Sequence, residues 1–108
     1  DKLLERLFNQ IHCVTIVLFT LLPNADPTAD DRIRTIVNPK YRAIIEARRR
    51  KGQRIVLSDM YPNVTKDGLG PDGTHPMDIG YQGMALVWYE AVVEAEGKGM
   101  LRPLGVCT

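Results

Sequence analysis

Asp72 and His75, in the run Asp72-Gly73-Thr74-His75-Pro76, are the two residues of this chain whose types and spacing suit proton transfer. A carboxylate three positions before an imidazole is close enough to fold back onto one of its ring nitrogens. In a serine esterase such a bond fixes the tautomer and orientation of the histidine. The other ring nitrogen then takes the proton of a nucleophilic hydroxyl. The same five residues also have a plainer use, as a turn that ties down the start of the helix behind them. A bare D-x-x-H triplet arises often by chance, so its surroundings must decide.

A histidine of this kind needs a nucleophile, and the chain offers a poor choice. Ser58 is its single serine, in the run "IVLSDMYPN". No glycine precedes it to permit the sharp turn that exposes a nucleophile, so Ser58 is not expected to attack. His12 and Cys13 are adjacent, and adjacent side chains on a regular element face different ways, which argues against a Cys–His nucleophile. Asn24 reads as a turn or helix-start residue rather than an oxyanion donor. Asp26, Asp30 and Asp31 fit no calcium loop. Asp59, Asp67 and Asp72 would meet around a cation only if the loops converged. No metal site and no cofactor are expected.

The elements that must position the pair follow from hydrophobic patterning. Leu3, Leu4, Leu7, Phe8 and Ile11 recur at helical spacing. Val14 to Leu22 is a continuous apolar, β-branched run ended by Pro23 and Asn24, which suits a strand covered on both faces. Asp26 or Thr28 is placed to cap a helix over roughly 29–37, and Asn38-Pro39 is expected to break or kink it. A further helix from Pro39 to Lys51 buries Tyr41, Ile44 and Ile45 and stops at Gly52. Arg54 to Met60 reads as a second apolar strand. After a loop rich in Gly, Pro and Asp, residues 78–96 form a helix whose predicted buried face is Tyr81, Met84, Ala85, Trp88, Val92 and Ala95. The last residues, "RPLGVCT", read as irregular.

Helix, strand, helix, strand, helix is the order of an α/β fold with parallel strands and helical crossovers. Two apolar strands alone leave bare faces and open edges, so the chain reads as part of a larger sheet.

Composition bounds the rest. The 108 residues carry 44% hydrophobic and 25% charged side chains and a net charge of +1, the balance of one ordinary globular domain. No global field argues for nucleic acid or a membrane surface. The cations Arg48, Arg49, Arg50, Lys51 and Arg54 read as a solvated helix end. No run reaches the roughly 18 apolar residues of a membrane span. Two cysteines, Cys13 and Cys107, allow one disulfide closing a large loop or two unpaired thiols. Asn63-Val64-Thr65 fits the N-glycosylation pattern, which matters only in a secreted protein.

The context of the Asp–His pair adds Pro76, Asp78, Gly80, Tyr81, Met84 and Ala85. This "DG-x-HP-x-D-x-GY-x-x-MA" stretch, with "LLPNADPTADDRI" and "RRRKGQRIVLSDM" before it in order and spacing, resembles the last conserved block of the SGNH (GDSL-type) hydrolase superfamily. Within it, the secreted carbohydrate-esterase branch that contains acetyl xylan esterases is the most similar. The resemblance runs from about Leu3 to Ala95. It implies that Asp72 and His75 are the orienting acid and the general base, with Pro76, Gly80 and Tyr81 in support. Met77 departs from it, standing where a polar helix-capping residue is expected.

The resemblance further implies a partial three-layer sandwich, parallel strands flanked by helices, as the C-terminal half of that fold, with residues 1–108 a single partial domain. The family's serine lies in a G-D-S block, and its oxyanion-hole residues in two more, all of them expected before this chain begins. The expected function is therefore that of an esterase fragment, inactive alone, serving hydrolysis of acetyl esters on carbohydrate. Its expected partner is the missing N-terminal half or a second copy exchanging elements, in a secreted setting. The competing reading is a non-catalytic binding module on a remnant esterase scaffold, for which replacing His75 would change nothing.

Overall fold

The computed structural model describes residues 1–102, so the irregular tail beyond Arg102 and the question of a Cys13–Cys107 bond lie outside the described residues. In chain order the elements are α1 (Lys2–Gln10), β1 (Ile16–Phe19), α2 (Pro27–Arg32), a π-helical turn (Ile33–Val37), α3 (Asn38–Arg50), β2 (Ile55–Ser58), a 3-10 turn (Lys66–Gly68) and α4 (Asp78–Gly97). β1 and β2 are parallel, in register from Ile16 opposite Ile55 to Phe19 opposite Ser58. The chain is thus mixed α/β around a two-stranded parallel sheet, with α2 and α3 as the crossover.

Period-two alternation divides the strand side chains between two faces. Leu4 of α1 and Ile45 of α3 pack with Ile55, Ile16, Leu18 and Leu57 on one face. Ala91 and Ala95 of α4 pack with Val56 and Val17 on the other. Ile55 and Val56 are fully buried, and burying each side chain contributes about 1.5–3 kcal/mol. This two-sided cover explains why β1 is apolar and β2 is apolar up to its last residue, Ser58.

Asn38-Pro39 does not break the helix as expected. Asn38 keeps helical angles, φ −66° and ψ −39°, and the preceding turn widens to a π-turn instead. The proline ring and its missing N–H conflict with the carbonyl one turn back, and a wider turn accommodates both. Asn38 is also held from outside the helix. Its side chain is buried, accepting from Leu21 N at 2.8 Å and donating to Leu21 O at 3.2 Å.

Two further expectations are corrected. The basic cluster is not wholly solvated: Arg48 is buried and bonds the carboxylates of Asp1 and Glu5, both at 2.6 Å, with its guanidinium 6.0 Å above the Phe8 ring. It anchors α1 to α3 and holds the Glu5 carboxyl below its usual range. On α4 the buried face is Gly80, Val87, Ala91 and Ala95, with Met84 and Trp88 half-buried. Tyr81, Ala85 and Val92 are exposed. α4 is apolar around most of its circumference, so periodicity could not say which side faces the sheet.

Candidate active site

The Asp72–His75 turn lies between the 3-10 turn and α4 and is closed on itself. Leu69 and Pro76 form an antiparallel bridge, Gly70 N donates to His75 O at 2.6 Å and Met77 N to Gly68 O at 2.8 Å. Asp72 Oδ1 accepts from Thr74 N and His75 N, both at 2.9 Å. Asp72 Oδ2 lies 2.6 Å from His75 Nδ1. That ring contact first, and the two backbone N–H groups second, hold the Asp72 carboxyl well below the usual carboxylate range.

An ionised carboxylate only accepts, so the proton between the two groups belongs to Nδ1. In the neutral ring the lone pair is then on Nε2, which has no partner among the described residues. The imidazole side chain is 77% exposed. This is the tautomer and the accessibility a general base requires.

Neighbouring loops place the turn at the carboxyl ends of the strands, where open α/β sheets hold their ligands. Ala25 N donates to Gly73 O at 2.9 Å, and Asn24 Nδ2 donates to Thr74 Oγ1 at 3.2 Å. The loop after β1 is therefore stitched to the histidine turn. Asn24 Oδ1 accepts from Asp26 N, and Asp26 caps α2 by accepting from Ala29 N, as its position predicted. Behind Asn24 stands Asp30, which accepts from Asn24 N at 2.9 Å, from Tyr61 Oη at 3.0 Å and from Lys66 Nζ at 3.1 Å. These donors, the Asn24 N–H foremost, lower the Asp30 carboxyl, while burial and then the bond to Asp30 raise the Tyr61 phenol.

Glycines make the close approaches. A Cβ on Gly80 would stand 2.4 Å from Gly68 O and 2.8 Å from Pro76 Cβ. Gly73 has φ +71°, and a Cβ there would meet Ala25 Cβ at 2.8 Å. The start of α4 and the loop after β1 thus grip the turn from two sides. Met77 makes no side-chain cap to α4; the backbone bond from Met77 N to Gly68 O holds that end instead.

The other candidate residues do not join the pair. Ser58 is buried within β2, and its Oγ has no hydrogen-bond partner among the described residues. Cys13 lines a cleft with Gly52, Gln53 and Arg54 at the amino end of the sheet, the end opposite the turn. Among the described residues no group of three or more His, Cys, Asp or Glu side chains is arranged to hold a metal ion. Asp59 is engaged elsewhere, with Arg42 at 2.8 Å and Thr20 Oγ1 at 2.9 Å. Thr20 also accepts from Met60 N and Tyr61 N. Sequence reasoning missed this Thr20–Asp59–Arg42 network. The signal for it was a hydroxyl and a carboxylate each just past the carboxyl end of a strand.

Comparison of the chain with protein-family models, with curated proteins and with solved structures gives no match. Any functional reading stands on the residues themselves.

Proposed function

We propose that this chain contributes the acid–base half of an SGNH-type serine ester hydrolase acting on acyl esters of carbohydrate. His75 would deprotonate a serine lying outside these 108 residues, and Asp72 would hold His75 in the required tautomer. The observation that carries the reading is the 2.6 Å bond between Asp72 Oδ2 and His75 Nδ1, with Nε2 facing solvent at the carboxyl ends of two parallel strands.

The incompleteness of the sheet supports it further. β1 is apolar throughout yet only half-covered, and its outer edge pairs with no strand among the described residues. Phe19, at its carboxyl end, is exposed beyond its edge-on contact with Trp88. α4 shows Leu86, Tyr89 and Val93 to solvent, with Tyr89 68% exposed. A complementary half extending the sheet at β1 and covering α4 would complete a three-layer sandwich and bring the serine, whereas a second copy would cover the same surface without supplying it. The same exposed surface favours the second reading, a binding module.

A fluorophosphonate probe on the native assembly separates the two. The esterase reading expects a label on a serine outside residues 1–108, lost in His75→Ala, with Ser58 unlabelled. Labelling indifferent to His75→Ala, or no labelling in an assembly whose intact mass is 12.1 kDa, overturns it.

A further inference from the structure

Asn63-Val64-Thr65 stands on the turn that follows β2, and the fold sorts its three side chains. Val64 is buried with Met60 and Val87, whereas Asn63 and Thr65 are exposed. The turn is closed by bonds from Asn63 N and Val64 N to Met60 O, at 3.1 and 2.9 Å. Asn63 Nδ2 donates to Asp59 O at 2.8 Å. Thr65 makes no side-chain cap to the 3-10 turn behind it. Asn63 and Thr65 border a groove of about 150 Å3 with Asp67, Ile79 and Gly83. Ile79, in the first turn of α4, is 67% exposed.

We propose that Asn63 is the acceptor of an N-linked glycan whose first sugar lies along this groove and covers Ile79. The proposal rests on the esterase reading above, taken in the secreted setting that its resemblance implies. Transfer forms a bond between Asn63 Nδ2 and the anomeric carbon of the terminal N-acetylhexosamine of a lipid-pyrophosphate-linked oligosaccharide. The bond from that carbon to the pyrophosphate oxygen breaks, the lipid pyrophosphate leaves with the electron pair, and one Nδ2 proton is released. The hydroxyl two residues on completes the acceptor pattern.

The glycosylated amide keeps one N–H, which suffices to retain the bond to Asp59 O. The sugar is therefore held by the same contact that now orients the bare side chain. A bulky, solubilising group here removes Ile79 from water and keeps this face clear of other chains. The open edge of β1 and the later turns of α4, with Leu86, Tyr89 and Val93, are left for a partner.

The test is secretion of the 108-residue chain from a eukaryotic host, with a reference acceptor triplet appended as an internal control. Intact mass is measured before and after peptide-N-glycosidase, and Ile79 is probed by hydroxyl-radical footprinting. A glycan mass at Asn63, lost in Asn63→Gln and in Thr65→Ala but kept in Thr65→Ser, with Ile79 protected only while the glycan is present, is the expected result. An unmodified Asn63 beside an occupied reference triplet overturns the proposal. Ile79 equally reactive with and without the sugar overturns the groove assignment. Neither readout depends on fluorophosphonate labelling, so failure of the esterase reading is seen separately.

Discussion

Gly80 and Gly83 lie one turn apart on α4, yet replacing each by alanine should move stability in opposite directions. In a helix Gly→Ala is worth up to about 1 kcal/mol. At Gly83 the added Cβ meets nothing nearer than Val64 Cγ2 at 3.8 Å, ordinary contact, so most of that gain is kept. At Gly80 the Cβ would be forced to 2.4 Å from the backbone oxygen of Gly68. A backbone carbonyl closed into its own turn cannot step aside as a flexible side chain can. Overpacking of this kind costs about 1–3 kcal/mol. Taking the upper end because the obstacle is backbone, Gly80→Ala loses about 2 kcal/mol net, which sets the two variants about 3 kcal/mol apart. At roughly 4 °C per kcal/mol for a domain of this size, Tm should differ by about 10 °C. Thermal and urea denaturation of both variants measure it. The imidazole resonances of His75 should shift in Gly80→Ala alone, because Gly68 and Pro76 flank the histidine turn. A Gly80→Ala protein as stable as the parent, with unmoved His75 resonances, would refute the close-packed glycine contact as the device that sets the turn.

Asp72→Asn keeps the shape of the turn but can present an N–H to Nδ1 and favour the wrong tautomer. In the assembled enzyme labelling should slow by on the order of 10^4, and a rate within tenfold of the parent argues against the orienting role. The Asp72 carboxyl is lowered in the fold, so its contribution is present above the ordinary carboxylate value near 4 and is lost as pH falls through the lower folded value. Amide exchange protection at Thr74 and His75 should accordingly persist through pH 4 and be lost only well below it; protection that already collapses as pH falls through 4 contradicts the assignment. Asn24→Ala removes the side-chain tie to Thr74 and should broaden or shift the His75 resonances with little change in Tm, whereas unaltered resonances show that the backbone bond from Ala25 to Gly73 suffices. Arg48→Met should loosen α1 selectively, read as faster amide exchange over residues 2–10 and a lower Tm, and uniform exchange changes across the chain would speak against a local clamp.

Much of the fold could be read directly. Continuous apolar runs bounded by loops marked β1 and β2, and their order with the intervening helices predicted the parallel pairing that the structure has. The D-x-x-H spacing likewise predicted the bond between Asp72 and His75, because a turn of that length leaves the carboxylate few other partners. Strand ends were overestimated. Val14 to Leu22 reduces to Ile16–Phe19, since an apolar run continues past the last ladder bond wherever its side chains still find cover.

Composition and local spacing determined the α/β character, the parallel strands and the pairing of one carboxylate with one imidazole, for these are short-range consequences of side-chain period and turn length. Tertiary structure alone decided the rest. Which face of α4 meets the sheet depended on small residues that let it approach Val56, not on a contrast of polarity that the helix lacks. Arg48 is buried because α1 brings two carboxylates to it from the far end of the chain. Asn24 reaches the histidine turn across a separation of 50 residues and Asp30 braces Asn24 from behind, and contacts of the longer range are set by how the layers pack rather than by any local pattern.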